Sequence, residues 1–113
     1  VITLWHNPRC SKSRAALALV EAAGQPFTTR LYLDDAPALE ELTALQAKLD
    51  LPAIEMMRTG EALFRELALS KTDDDATLLA AMAAHPKLIE RAVLITDTRA
   101  VIARPPERVH ELL

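Results

Sequence analysis

The sequence predicts an α/β fold in which a β-α-β half and a β-β-α half flank a block of helices. Three observations carry that reading. A β-prone opening, residues 1–5, is followed by a helix-forming run and then by a second β-prone run at 27–33. Two short apolar β runs, 92–96 and 100–103, stand three residues apart near the end. Between these halves the apolar residues recur at helical spacing.

The elements follow in order. Val1-Ile2-Thr3-Leu4-Trp5 reads as a strand, broken by the turn formers Asn7 and Pro8. From Ser11 the helix formers Ala15, Leu17, Ala18, Leu19, Ala22 and Ala23 predict a helix, and Gly24 is a natural stop. Phe27 to Leu33 reads as a second strand, bounded by Pro26 and Asp34-Asp35. Leu39, Leu42, Leu45 and Leu49 set a helix over 38–50, which Pro52 ends. Residues 53–58 and 61–67 are short helical candidates, 75–84 a stronger one, and 87–90 one more turn. Asp97-Thr98-Arg99 joins the last two strands at hairpin distance. Pro105-Pro106 opens a final helix, where proline fits the first turn. Strands joined through a helix should pair in parallel by a right-handed crossover, and the last two should form an antiparallel hairpin. This is the thioredoxin-like plan with an inserted helical block, read as one domain over residues 1–113.

Composition narrows the function classes. At 113 residues with half of them hydrophobic, the chain has material for a core without metal or disulfide. Its single cysteine excludes an internal disulfide and fits the reducing cytoplasm. One cysteine and three scattered histidines, His6, His85 and His110, offer no metal-ligand spacing. The net charge of −3, with no basic block, gives no reason to expect nucleic acid as a partner. No apolar run approaches the roughly 20 residues of a membrane span, and the opening residues have no charged leader that would read as a signal peptide.

Cys10 is the sharpest feature. It follows a strand and a proline turn, and a helix begins at once. Unpaired N–H groups at a helix start stabilise an anion, so a thiolate is favoured there and the thiol is activated. Arg9, Lys12 and Arg14 add positive charge. Ser13 stands where a second cysteine would make the C-x-x-C of a dithiol oxidoreductase. With no other thiol in the chain, a mixed disulfide must be resolved from outside. Ser13 could donate a hydrogen bond to the thiolate or be an ordinary first-turn residue, and His6 could orient the thiol or have a local partner. Arg58, Arg91 and Arg104 lie at element boundaries, where converging guanidiniums would hold a tetrahedral oxyanion. Asp73-Asp74-Asp75 reads as a turn and helix cap.

These residues resemble a known family. His6-Asn7-Pro8-Arg9-Cys10-Ser11-Lys12-Ser13-Arg14 is similar to the H-N-P-x-C-x-x-S-R signature of the glutaredoxin-coupled arsenate reductases. Leu31-Tyr32-Leu33 resembles the family's second strand, His85 to Arg91 its H-P-x-L-I-x-R segment, and Arg104-Pro105 its late R-P. The resemblance implies a thioredoxin-like fold with a helical insertion. It implies Cys10 as the nucleophile toward arsenate, with His6 and Ser13 in its hydrogen-bond network, and Arg58, Arg91 and Arg104 as the oxyanion set. No bound cofactor is implied. Glutathione is the co-substrate and glutaredoxin the resolving partner. Two readings compete: a thiol oxidoreductase of another substrate, and a Spx-like module that binds RNA polymerase, against which Ser13 argues.

One departure stands out. Family members usually carry proline, in a cis bond, where this chain has Ala92. A cis non-proline bond costs about 3–4 kcal/mol, so Arg91-Ala92 is expected in trans. That would shift the edge holding glutathione or oxyanion and weaken the reductase. Arg58-Thr59-Gly60 also replaces the more usual Arg-Lys/Arg near that position.

Overall fold

A computed structural model describes all 113 residues. The backbone gathers into two compact units, Val1–Asp35 with Arg91–Leu113, and Ala36–Glu90.

The first unit holds a four-stranded sheet. Its strands are β1 (Thr3–Trp5), β2 (Thr28–Arg30), β3 (Val93–Ile95) and β4 (Ala100–Ile102), in the order β2-β1-β3-β4. β1 pairs in parallel with β2 and antiparallel with β3, and β3 pairs antiparallel with β4. This is the thioredoxin-like arrangement. Helix α1 (Ser11–Ala22) makes the crossover, and Gly24 follows it at φ 76°. That left-handed backbone suits glycine, which has no Cβ to clash. Alternation along β1 buries Leu4 with Ala16 and Val20 of α1. Ala92, Leu94, Val101, Ala103 and Val109 complete that core.

β2 is shorter than the expected 27–33. After Arg30 the chain turns, because the Asp34 and Asp35 N–H groups both donate to the Leu31 carbonyl. Tyr32 is fully buried and stacks with Trp5, at 6.5 Å between ring centroids. Its β-prone character reflects packing, not ladder pairing. The final helix is a 3₁₀ segment, Pro106–Glu111.

The second unit is helical, with α2 (Leu39–Leu49), α3 (Ala62–Glu66) and α4 (Asp75–Ala84). The expected helices at 53–58 and 87–90 are 3₁₀ turns, Ala53–Met56 and Pro86–Leu88. Asp74 caps α4 by accepting the Thr77 N–H at 2.8 Å. Asp75 accepts from Gln46 Nε2 and the Ala53 N–H, tying α2 and the 3₁₀ turn to α4. No helix is long and apolar enough to cross a membrane.

Candidate active site

The segment between β1 and α1 is shaped by its own sequence. The Cys10 N–H donates to the Asn7 carbonyl at 3.1 Å, and the Arg9 N–H to Asn7 Oδ1 at 3.0 Å. Arg14 reaches back and donates to the Pro8 carbonyl at 2.9 Å. Asn7 and Arg14 therefore clamp the loop from both ends, a structural role the sequence reading did not assign them. Cys10 then sits at the N-cap of α1 with extended backbone, φ −99° and ψ 124°.

The half-buried Cys10 thiol feels opposing effects. Burial pushes its pKa up. The Ser13 backbone N–H, the Arg91 side chain, the Lys12 N–H and the Arg91 charge push it down, and together they win. The Arg91 Nε lies 3.2 Å from Sγ. A guanidinium stays charged at any ordinary pH, so this bond favours the thiolate specifically. The helix-start argument is thus met by named donors.

Ser13 serves the site with both ends. Its backbone N–H faces the sulfur. Its hydroxyl, fully buried, lies 2.7 Å from His6 Nδ1 and accepts the Asn7 N–H at 3.0 Å. The side chain bonds to the loop and His6, not to the thiol. His6 is buried as well. Burial, then the Arg14 charge, lower its pKa against a smaller opposing pull from Glu21, which favours the neutral ring.

The three arginines are placed differently. Arg91 touches Cys10. Arg104 follows β4 and, with Lys12, Pro105 and Pro106, lines a groove of about 340 Å³. Arg58 belongs to the Ala36–Glu90 unit. There Glu61 holds its guanidinium at 3.3 Å and also pairs with Lys87 at 3.1 Å. Glu61 stands at the end of a turn in which its N–H donates to the Arg58 carbonyl at 3.1 Å, a contact that helical spacing does not predict. No cluster of three His, Cys, Asp or Glu residues could hold a metal ion.

The expectation for Ala92 is overturned. Arg91-Ala92 is cis, as is Arg104-Pro105. The trans expectation rested on local preference alone. In the fold Ala92 is fully buried, and its carbonyl accepts the Ala103 N–H at 2.8 Å. The anticipated shift of this edge is withdrawn with it, and Ala92 gives no reason to expect a weakened site.

Comparison with known proteins settles the family. A sequence model of the ArsC family matches residues 5–112. The chain belongs to the ArsC family. Arsenate reductase of Neisseria meningitidis serogroup A is 42% identical over 114 residues, covering 99% of this chain and 97% of that protein. Arsenate reductase of Haemophilus influenzae is 40% identical, covering 99% and 98%. Among solved structures, the arsenate reductase from Vibrio cholerae superposes with a TM-score of 0.94 at 45% identity, covering 99% of this chain and 97% of that one. This ArsC-family chain shares its relatives' fold along nearly its whole length.

Proposed function

We propose that this ArsC-family chain is a cytoplasmic oxidoreductase that reduces arsenate to arsenite, with glutathione and glutaredoxin as electron donors. The observation that carries the reading is the Cys10 sulfur, held at a helix start by Arg91 and two backbone N–H groups. The arsenate reductases similar to it along its whole length support the substrate.

In this reading the Cys10 thiolate attacks arsenic and displaces hydroxide, which leaves as water. Arg91, Arg104 and Arg58 bind the oxyanion, and their charge opposes repulsion between thiolate and arsenate. Glutathione joins the arseno-thiol adduct. Two thiols become one disulfide as As(V) becomes As(III), so the electrons balance. The glutaredoxin thiolate attacks the glutathione sulfur, so a glutathione–glutaredoxin disulfide forms and the sulfur–arsenic bond to glutathione breaks with its electron pair left on arsenic; water then hydrolyses the Cys10–arsenic bond, releasing arsenite and the Cys10 thiol. The lone cysteine supports an external resolving thiol. It also suits the cytoplasm, where free thiols persist. Ser13 and His6 are assigned to positioning, since their side chains hold the loop that presents the sulfur.

The test is arsenate reduction by the purified chain with glutathione and glutaredoxin, each omitted in turn. Turnover should need both donors and Cys10. Full turnover with thioredoxin alone would refute the donor assignment. No arsenite under any donor would refute the substrate.

A further inference from the structure

Resting on that reading of glutathione as co-substrate, we infer that the groove between Lys12 and Arg104 binds a carboxylate of the incoming glutathione, making Lys12 a specificity determinant for the reductant. The groove, about 340 Å³, is lined by Lys12, Arg104, Pro105 and Pro106. That volume is in the range of sites for small organic ligands, about 300–1,000 Å³, and exceeds what one tetrahedral oxyanion fills. Its polar lining is cationic, and its two prolines give an apolar wall without backbone N–H groups. That combination fits an extended anionic peptide. Lys12 also has the right address. Its own N–H acts on the Cys10 sulfur, so one residue both faces the reacting atom and lines the groove. Its side chain is exposed on the first turn of α1 and forms no ion pair, leaving the ammonium for a ligand. Glutathione carries two carboxylates flanking its thiol. Docking one of them here brings the thiol to the sulfur and its adduct.

The inference is tested without arsenate. The Cys10 thiolate attacks glutathione disulfide; a Cys10–glutathione disulfide forms, the original S–S bond breaks, and one glutathione thiolate leaves. The rate with glutathione disulfide, divided by that with neutral bis-hydroxyethyl disulfide, cancels changes in thiol reactivity. Lys12→Glu should lower this ratio about tenfold and Lys12→Gln about threefold, as for loss or reversal of an exposed ion pair. Arg9→Glu, beside Cys10 but outside the groove, should lower it no more than about twofold. S-methylglutathione, which has no free thiol, should slow the wild-type reaction and leave Lys12→Glu unaffected. An equal ratio in wild type and both Lys12 variants would overturn the inference. So would an equal fall in Arg9→Glu, which would mean a general field and no docking site. Arsenate turnover reports separately. If it is absent while the ratio behaves as expected, the substrate assignment fails and the groove stands.

Discussion

Arg91, just before β3, and Arg58, just after the 3₁₀ turn Ala53–Met56, both stand at the edge of an element, and they are used oppositely. Arg91 puts its guanidinium on a sulfur, 3.2 Å away. Arg58 has its guanidinium on Glu61, which also takes Lys87. In the first case the positive charge lowers the pKa of a thiol. In the second, a carboxylate already neutralises it, so an incoming oxyanion would have to share Arg58 with Glu61. Residue type and edge position do not by themselves say which service an arginine performs; the group facing it does.

The largest effect should come from the sulfur. Cys10→Ser should remove arsenate reduction altogether, because an alcohol is a poor nucleophile at neutral pH and forms no disulfide. Residual turnover would mean another group attacks arsenic. Next, Arg91→Ala should move the pH midpoint of Cys10 alkylation upward, toward a free thiol. Arg58→Ala should leave that midpoint in place. A matching shift in both variants would erase the contrast between the two arginines.

Ser13→Ala tests the loop itself. It strands the buried His6 ring and the Asn7 N–H, so about 1–3 kcal/mol of stability should be lost in denaturant unfolding. Unchanged stability would show that water replaces the hydroxyl. His6 gives a pH signature. Its folded pKa is lowered, so below about 6.5 the unfolded chain binds more protons than the folded one. The stabilisation is complete above that pH and is lost as pH falls toward the folded pKa. Unfolding followed from about pH 7.5 downward should show the decline, and His6→Gln should flatten it. The smallest effect is expected at Gly24→Ala. A Cβ there meets open space, so the cost is only the left-handed backbone, about 1–2 kcal/mol.

The sequence made much of this readable. Helices α1, α2 and α4 and the closing hairpin are set by local spacing, by Gly24 and by the Asp74 cap, and they lie where the pattern puts them. What local pattern could not show were choices made by distant partners. Tyr32 looks like a strand residue yet is buried after the chain turns. The Arg91-Ala92 bond is cis, against its local preference. That Cys10 stands at a helix start was legible because that position is set locally. That Arg91, 81 residues away, touches its sulfur was not.

Ser13 also limits how this chain could change. A cysteine at that position would create a vicinal dithiol able to resolve its own mixed disulfide. The same exchange would remove the hydroxyl that links His6 and the Asn7 N–H, since a thiol is a longer and much weaker hydrogen-bonding group. The second thiol would therefore come with a loosened loop around Cys10, and the internal disulfide it formed would itself still need an outside reductant. A single codon change is an unfavourable evolutionary step here, and an engineer seeking a self-resolving version would have to redesign His6 and Asn7 together with Ser13.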